Sequence, residues 1–469
     1  MFQITFSDPV SVHFIGIGGI SMSALAELLH KQGFRVSGSD LKPSALTEHL
    51  QSLGITVSYP QQASNIPSDC AVVIYTAAVH PDNPEMVRAA ELSLPILERK
   101  DLLGQIMKQY RHVAGIAGSH GKTSTTSMLS LMLMEADLDP TILVGGVLDG
   151  IGGNLRMGED NNYLVAEACE YCNSFLSFYP TDAIILNIEA EHLDFFKDLE
   201  DIRHSFRKYA DLLPSSGTLV INGDIETLSE FTDALSANVL TYGICENKAQ
   251  CASYDYAATD CSFDANGFGS YDLYQKGTFL GRLSLRVIGM HNISNSLAAA
   301  ALAFTYGASF EAVAAALQKY TGTHRRFEYK GSINGIRVYD DYAHHPSEIS
   351  ATLSAARACV TGNQKLWCTF QPHTFSRTKA FLPEFADSLA LADAVVLADI
   401  YSASREKDPG DISSADIASL LQKKGKEVYH FHTFEEIEKF LLSHCKADDL
   451  LITMGAGDIV SVAESMIST

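Results

Sequence analysis

Residues 112–124 read HVAGIAGSHGKTS and carry the strongest structural signal in the chain. The apolar run 112–117 predicts a buried β-strand, and the glycines that follow it predict a tight loop. A helical pattern then begins at about Thr123. A strand, a glycine loop and a helix in this order are typical of an α/β domain with a parallel sheet.

The loop of this stretch resembles part of a phosphate-binding motif. A strict Walker pattern requires glycine at position 116, which is Ile116 here, so only the shorter form G-x-x-G-K-T at residues 118–123 matches. Its backbone N–H groups would surround phosphate oxygens, and Lys122 would neutralise the β- and γ-phosphates. The Thr123 hydroxyl could bind Mg²⁺. This chemistry predicts a site for a nucleoside triphosphate.

Short β-rich runs alternate with helical patterns along the whole chain, which predicts three successive α/β units. The predicted strands are 12–15, 34–37 and 71–75, then 112–117, 163–166 and 183–186, then 365–370, 394–398 and 450–453. Short alternating runs between residues 241 and 287 predict a small antiparallel element beside the second parallel sheet. We therefore expect domains at 1–107, 108–324 and 325–469.

Length and composition support this division. At roughly 150 residues per domain, 469 residues predict about three domains. Hydrophobic residues make up 46% of the chain and charged residues 19%, which excludes disorder along its whole length. The formal net charge of −22 argues against a general nucleic-acid or membrane-surface binder.

The expected location is the cytoplasm. No apolar run approaches the roughly 18 residues of a membrane span, and residues 1–9 lack the pattern of a secretory signal. Nine scattered cysteines suit a reducing compartment. Cys169 and Cys172 form a lone C-x-x-C, which on its spacing alone is weak evidence for a zinc or redox site.

A second glycine loop lies near the start of the chain, at residues 16–21. It follows a predicted strand and opens a helix, and Asp40 ends the next strand where a ribose hydroxyl is bound in dinucleotide-binding folds. However, Ser21 stands where the third glycine of G-x-G-x-x-G belongs, and Gly19 is an extra glycine. The loop favours a nucleotide diphosphate without saying which one, and a ligand-free tight turn remains an alternative.

Acidic residues and a histidine follow two predicted strands of the second unit. In a parallel sheet these strand ends lie on the same edge as the phosphate loop, and carboxylate oxygens suit Mg²⁺. The sequence therefore predicts a magnesium site there. The candidates are Glu167, Glu170, Glu189, Glu191, His192 and Asp194.

Several longer motifs occur in the order found in the Mur ligases, which the chain resembles over nearly its whole length. They are the loop 118–123, NIEAEHLD at 187–194, GMHN at 289–292, HRRFE at 324–328 and DDYAHHP at 340–346. GIGG at 16–19 with Met22, and QPH at 371–373 with Arg377, are most similar to the branch that joins L-alanine to UDP-N-acetylmuramate.

The resemblance implies a fold, a reaction and a set of site residues. A Rossmann-like N-terminal domain would hold the UDP sugar, a P-loop-type central ATPase domain would bind ATP and Mg²⁺, and a Rossmann-like C-terminal domain would bring the amino acid.

The implied UDP-sugar residues are Gly16, Gly18, Gly19, Ile20, Asp40, Thr76 and Ala77. The implied ATP residues are Gly118, Ser119, His120, Gly121, Lys122, Thr123, Ser124, His291, Asn292, Asn295, Arg326 and Asp341. The implied amino-acid residues are His345, His373 and Arg377, the metal residues are Thr123, Glu170 and His192, and the catalytic residues are Lys122, His192, Arg326 and His345.

Some positions depart from the family pattern. Cys169 and Cys172 replace two acidic residues, and Thr374 replaces an arginine often found there.

The partners implied are the small-molecule substrates alone, and the sequence leaves monomer and homodimer open. Three alternatives also stay open: a ligase of cell-wall recycling that attaches a tripeptide to UDP-N-acetylmuramate, an NAD-dependent oxidoreductase, and a non-catalytic ATP-driven switch.

Overall fold

The computed structural model describes residues 2–193, 195–402 and 406–468. The first of its three sheets contains five parallel strands in the order β3-β2-β1-β4-β5. The strands are β1 Ser11–Ile15, β2 Arg35–Ser39, β3 Thr56–Ser58, β4 Val72–Tyr75 and β5 Ile96–Glu98. The helices are α1 Ile20–Lys31, α2 Ala45–Ser52, α3 Pro84–Glu91 and α4 Arg99–Met107.

The second sheet contains ten strands in the order β15-β14-β13-β12-β11-β10-β6-β9-β7-β8. Its first strands are β6 His112–Ala117, β7 Thr141–Leu148, β8 Gly153–Arg156, β9 Tyr163–Glu167 and β10 Asp182–Ile185. They are followed by β11 Thr218–Asn222, β12 Asn238–Ile244, β13 Tyr256–Phe263, β14 Phe268–Gln275 and β15 Thr278–Ile288. The helices are α5 Lys122–Glu135, α6 Leu199–Ala210, α7 Ser229–Thr232, α8 Met290–Thr305 and α9 Phe310–Lys319.

The third sheet contains six strands in the order β16-β17-β21-β18-β19-β20. The strands are β16 Glu328–Ile333, β17 Ile336–Asp341, β18 Leu366–Phe370, β19 Ala394–Leu397, β20 Glu427–His430 and β21 Leu450–Met454. The helices are α10 Pro346–Arg357, α11 Phe375–Ala380, α12 Leu382–Leu389, α13 Ser414–Lys423, α14 Phe434–His444 and α15 Val460–Ser468. Short 3₁₀ helices lie at Ala63–Asn65, Asp149–Ile151, Tyr171–Ser177 and Lys248–Ser253.

Burial explains why these segments form a layered α/β structure. Strands β18 and β21 are buried along their whole length, as expected for parallel strands covered by helices on both faces. The alanine-rich helix α8 is buried from Leu297 to Ala303 and packs against α5. Small side chains allow two helices to lie close together over the same face of the central sheet.

The predicted fold class is confirmed, with three sheets in which parallel pairs predominate. The antiparallel element is also confirmed, since β13, β14 and β15 pair antiparallel, but it extends the central sheet rather than standing apart from it. The hairpin of β16 and β17 was not predicted. Within the described part of the chain, no helix is both long and apolar enough to cross a bilayer.

The topology places the carboxyl ends of β6, β9 and β10 side by side at one edge of the central sheet. Strand β6 is an inner strand of this sheet, with β9 on one side and β10 on the other. After β6 the chain first builds the side of β9 and then crosses to the side of β10, so the strand order reverses at β6. Ligands of open α/β sheets bind at such a switch point. The phosphate loop after β6 and the acidic residues after β9 and β10 therefore share one site.

Candidate active site

The loop after β6 has a backbone that only glycine accommodates well. Gly118 has φ +147° and Gly121 has φ +85°, a region that L side chains rarely adopt. A Cβ atom on Gly121 would lie 2.5 Å from Asn295 Oδ1, and one on Gly118 would lie 2.9 Å from Leu186 Cβ. The loop is thus held tightly against the start of α8 and the end of β10.

Asn187 fixes this loop from the neighbouring strand end. The His120 amide donates to Asn187 Oδ1 at 2.7 Å, and Asn187 Nδ2 donates back to the His120 carbonyl at 3.1 Å. The Ser119 amide donates to the Asn187 carbonyl at 3.1 Å. Asn187 opens one of the quoted motifs, but this positioning role could not be predicted from the sequence.

Lys122 and Glu170 form an ion pair at the centre of the site. Lys122 Nζ lies 3.0 Å from Glu170 Oε2 and 3.2 Å from Oε1, and it also donates to the Ser119 carbonyl at 3.1 Å. Burial opposes the charge on Lys122, but the Glu170 carboxylate outweighs burial and raises the Lys122 pKa. Burial also opposes the charge on Glu170, yet Lys122 and then His192 hold the pKa of Glu170 well below its usual range. Both groups are therefore charged at neutral pH.

His192 lies beside Glu170, as expected if the two residues bind the same metal ion. Its Nε2 atom is 3.6 Å from Glu170 Oε1 and 3.9 Å from Glu191 Oε1, and its backbone has φ +54°. A non-glycine residue in this conformation is uncommon and is found more often at functional sites. The three donors Glu170, Glu191 and His192 lie within 4.8 Å of one another.

This donor set fits Mg²⁺. The ion is usually held by one or two carboxylates and completes its shell with water and substrate phosphates, and the buried Glu170 and Glu191 are placed to supply the carboxylates. The predicted ligand Thr123 is also buried, and its Oγ1 atom accepts a hydrogen bond from Arg326 Nη2 at 3.5 Å. The candidate Asp194 lies outside the described residues.

A cavity of about 210 Å³ opens beside the phosphate loop, between the central and C-terminal sheets. Eight of its lining residues were predicted to bind ATP: His120, Gly121, Ser124, His291, Asn292, Asn295, Arg326 and Asp341. Asn187, Glu189, Ser347 and Glu348 also line it and were not predicted to bind ATP. The structure thus brings most of the predicted ATP residues together.

Two titratable groups in this cavity have pKa values shifted toward their neutral forms. Burial, with the nearby charge of Arg326, lowers the pKa of His291 to about 4. Burial also raises the pKa of Asp341 to about 6, although Arg326 favours the carboxylate. Asp341 accepts hydrogen bonds from the amides of Phe327 at 2.9 Å and Ala343 at 2.7 Å. It therefore also positions the chain on both sides of the β16–β17 hairpin.

His120 connects the phosphate loop to the first turn of α10. Its Nε2 atom is 2.9 Å from Ser347 Oγ and 3.3 Å from Glu189 Oε2, and its Nδ1 atom is 3.2 Å from Glu348 Oε1. Burial opposes protonation of this ring, but Glu348 and Glu189 outweigh burial and raise the His120 pKa to about 10. A protonated histidine therefore joins the central and C-terminal parts at neutral pH.

The predicted amino-acid residues His373 and Arg377 lie together, with Arg377 Nη1 3.1 Å from His373 Nδ1. Arg377 Nη2 is 3.6 Å from Glu191 Oε1, beside the proposed metal site. The neighbour of this pair is His344, whose ring centroid is 5.7 Å from that of His373. His344 belongs to the DDYAHHP motif, but the sequence analysis did not select it.

The other histidine of that motif, His345, lies in a different environment. Its ring centroid is 5.1 Å from that of His120 and 4.9 Å from that of Phe381. Its Nδ1 atom is 2.8 Å from Ser347 Oγ, and its buried Nε2 atom has no hydrogen-bond partner in the described part of the chain. His345 thus adjoins the phosphate loop through His120.

The first glycine loop lies at the carboxyl edge of the N-terminal sheet. Asp40 Oδ2 accepts a hydrogen bond from the Gly18 amide at 2.7 Å, and Asp40 Oδ1 accepts one from the Leu41 amide at 2.7 Å. Thr76 is adjacent, since a Cβ atom on Gly16 would lie 3.0 Å from its Cγ2 atom. Helix α1 begins after Gly19 without a side-chain cap, which leaves backbone N–H groups for an anion.

The N-terminal sheet is joined to the central one through α1. This helix packs against β7 and β8, and Asn154 of β8 donates a hydrogen bond to the Ile20 carbonyl. Ile20 belongs to the first glycine loop and begins α1, so this loop faces the β7–β8 hairpin. On the other side of β7, a Cβ atom on Gly146 would lie 3.3 Å from Thr123 Cγ2. The hairpin therefore lies between the two glycine loops.

Comparisons with known proteins agree with this architecture. The family model described as "Mur ligase family, catalytic domain" matches residues 11–111. "Mur ligase middle domain" matches 116–303, and "Mur ligase, glutamate ligase domain" matches 325–457.

Individual relatives match along their whole length. The UDP-N-acetylmuramate--L-alanine ligase of Lachnoclostridium phytofermentans is 56% identical over 100% of both chains. The crystal structure of a UDP-N-acetylmuramate-alanine ligase from Thermotoga maritima superposes with a TM-score of 0.83, at 31% identity over 98% of both chains. A murein peptide ligase from Psychrobacter arcticus, at 23% identity, covers 98% of both chains with a TM-score of 0.74 and shows the fold alone. The three family models and the full-length relatives show that the chain belongs to the Mur ligase family.

Proposed function

We propose that this protein is an ATP-dependent ligase that joins L-alanine to the carboxylate of UDP-N-acetylmuramate in the synthesis of peptidoglycan precursors. One observation carries the proposal. The Lys122–Glu170 pair adjoins His192, the His373–Arg377 pair adjoins Glu191, and His192 and Glu191 adjoin each other. An activated phosphate and an amino acid can therefore meet at one place. The full-length identity to named L-alanine ligases supports the choice of substrates.

The reaction needs an activated acid, because a free carboxylate is a poor acceptor for an amine. Transfer of the γ-phosphoryl group of ATP onto the carboxylate gives an acyl phosphate with a good leaving group. The amine of L-alanine attacks the carbonyl carbon, and the tetrahedral intermediate collapses with release of phosphate. Since no protein nucleophile takes part, the side chains of the site act by positioning and by charge stabilisation.

Lys122 and Arg326 supply the positive charge for the phosphoryl transfer. Lys122 follows the glycine loop directly, and Arg326 reaches Thr123 from the segment between the central and C-terminal sheets. Glu170, His192 and Thr123 would hold Mg²⁺, which when bound neutralises charge on phosphate and carboxylate oxygens. We assign the adenine side of ATP to His291, Asn292 and Asn295 and the ribose side to Asp341.

The attacking amine must lose a proton, and two histidines can accept it. Burial lowers the pKa of His344 well below its usual value and also lowers that of His345, so both rings are neutral at pH 7 and can act as bases. His344 adjoins His373 and Arg377, which we assign to the amino acid. His345 has its unpartnered Nε2 atom near the phosphate loop and remains the second candidate.

We assign the UDP sugar to residues 1–107, ATP and Mg²⁺ to 108–324, and the amino acid to 325–469. The uncapped start of α1 and the residues Gly16, Gly18, Gly19, Ile20, Asp40, Thr76 and Ala77 would hold the UDP sugar. The Asp40 carboxylate also accepts a hydrogen bond from the Gly18 amide, so it positions the first glycine loop as well. We propose a cytoplasmic enzyme that acts on small molecules, as a monomer or homodimer.

The deciding experiment measures ADP release with UDP-N-acetylmuramate, ATP and Mg²⁺ while the amine substrate is varied. We expect turnover with L-alanine and none with the tripeptide of cell-wall recycling. Turnover with tripeptide alone would assign the protein to the recycling branch. NADH binding without UDP-sugar binding, or ATP hydrolysis that needs no acceptor, would refute the ligase proposal altogether.

A further inference from the structure

Two histidines and one aspartate form a compact cluster at the carboxyl edge of the C-terminal sheet. Asp399 follows β19 by two residues, His430 ends β20, and His432 lies two residues beyond His430. Strands β19 and β20 are parallel neighbours in which Leu397 pairs with His430. The pairing brings His430 to the end of β19, and the bend that follows β20 places His432 on the same carboxylate.

The distances in this cluster match those between ligands of one metal ion. His430 Nε2 is 2.8 Å from Asp399 Oδ1, and His432 Nδ1 is 3.0 Å from Asp399 Oδ2. One donor atom from each of the three residues lies within 4.8 Å of the other two. Ligands held about 2.0–2.1 Å from a tetrahedral ion are about 3.3 Å apart. A metal ion could therefore replace the protons of these hydrogen bonds with only small movements of the three side chains.

The cluster is open to solvent on one side. The side chain of His432 is 76% exposed and that of Asp399 is 54% exposed, whereas that of His430 is 18% exposed. An ion can thus enter without any opening of the fold, and a fourth ligand position is left for water. Two imidazoles and a carboxylate favour zinc and related ions of the late first transition series over Mg²⁺, which prefers oxygen.

We propose that Asp399, His430 and His432 form a binding site for one divalent transition-metal ion, with Zn²⁺ as its typical occupant. The site is separate from the residues assigned to the ligase reaction. It connects the ends of β19 and β20, and the chain that leaves Asp399 runs directly to Tyr401. The Tyr401 amide donates to the Pro372 carbonyl at 2.9 Å, and the Tyr401 ring centroid is 5.8 Å from that of His373. A bound ion would therefore stabilise the segment that supports His373.

The test is a calorimetric titration with Zn²⁺ of full-length protein that lacks a polyhistidine tag and has been freed of metal with a chelator. Excess Mg²⁺ is kept present because it fills oxygen-rich sites without competing for the imidazoles. We expect the His432→Ala and Asp399→Asn variants to lose one zinc site of the wild type, or to bind there at least 100-fold more weakly. Losses of about 10–100-fold are typical when only an outer partner of a metal ligand is removed. His204→Ala, an exposed histidine of α6, is the matched control and should bind as the wild type does.

Two further measurements keep the inference open to refutation if a variant folds poorly. In crystals of the wild type soaked with Zn²⁺, an anomalous signal at the zinc edge should lie between the three side chains. Zn²⁺ should also raise the thermal midpoint of the wild type more than that of Asp399→Asn, because an ion that binds only the folded state stabilises it. Equal zinc stoichiometry and affinity in wild type and both variants, or no anomalous signal at the cluster, would show hydrogen-bonded side chains without a metal site.

Discussion

At the scale of single residues, the proposed phosphoryl transfer depends most on Lys122. We expect Lys122→Ala to abolish ligation while UDP-sugar binding stays nearly intact, because the two ligands use separate glycine loops. Two unit charges at 4 Å interact by roughly 4 kcal/mol at an effective dielectric near 20, which corresponds to about a thousandfold loss of kcat/KM. ADP release measures the first effect, and calorimetric titration with the UDP sugar measures the second.

The control for this prediction is Lys197→Ala, which removes a lysine with an 86% exposed side chain from the same part of the chain and should leave both quantities unchanged. Circular dichroism must accompany the Lys122 variant, since removing one partner of a buried ion pair destabilises a fold by about 3–5 kcal/mol. Equal loss of ligation and UDP-sugar binding in a folded variant would contradict the assignment of the two loops to different ligands.

Arg377 supports a second prediction at this scale. Its guanidinium adjoins His373 and Glu191 and is placed to bind the carboxylate of the incoming amino acid. We expect Arg377→Ala to raise the KM for L-alanine, with a smaller effect on the KM for ATP, as measured by initial rates of ADP release. Arg357→Ala, which removes a half-exposed arginine of the same domain, is the control. An unchanged KM for L-alanine would exclude Arg377 from the amino-acid site.

How far the sequence predicts the site differs from residue to residue. The proximity of Lys122, Glu170 and His192 was predictable, because all three follow strands whose carboxyl ends meet at one edge of a parallel sheet. Asn187, His344 and Glu348 were not selected, because their roles arise from contacts between segments far apart in sequence. Glu348, for example, accepts hydrogen bonds from the His344 amide at 3.0 Å and the His345 amide at 3.3 Å. From the sequence alone it is an ordinary first-turn acid of α10.

At the scale of elements, the contact between the phosphate loop and α10 makes stability depend on pH. The folded state raises the pKa of His120 to about 10, above the roughly 6.5 of an unfolded chain. The resulting stabilisation is complete below about pH 6.5 and is lost as the pH rises toward 10. A single proton gives a slope of up to about 1.4 kcal/mol per pH unit. We expect the thermal midpoint of the wild type to fall more between pH 7 and pH 9 than that of His120→Asn.

Scanning calorimetry at both pH values measures this difference, and His204→Asn serves as the control because His204 is exposed on α6. Other groups also titrate in this range, so only the difference between variant and wild type reports on His120. If His120→Asn and the wild type lose the same number of degrees, the histidine is not held protonated by Glu348 and Glu189.

The elements themselves were predicted unevenly, for a physical reason. Fully buried parallel strands such as β6, β10 and β18 are continuous apolar runs and were predicted to within a residue or two. Strand β16 mixes exposed and half-buried positions and is held mainly by pairing with β17. Its sequence therefore lacks the hydrophobic pattern from which a strand is predicted. The edge strand β16 therefore became visible only in the structure.

At the scale of the whole molecule, the central and C-terminal parts meet through polar contacts around the site. His120 with Glu348, Arg377 with Glu191, and Arg326 with Thr123 all cross this boundary. An interface of charged and polar groups around a cavity is typical of domains that move relative to one another. Movement also suits the chemistry, since an acyl phosphate must be protected from water once it has formed.

A polar boundary around the reacting groups predicts that the substrates favour a closed molecule. We expect the radius of gyration, measured by small-angle X-ray scattering, to fall when UDP-N-acetylmuramate and a non-hydrolysable ATP analogue are added with Mg²⁺. Glu348→Gln should reduce that fall, because the neutral amide no longer attracts protonated His120 across the boundary. Glu384→Gln, at an exposed position of α12, should behave as the wild type. If Glu348→Gln contracts as fully as the wild type, closure does not depend on these charges, and the polar boundary serves only to position the substrates.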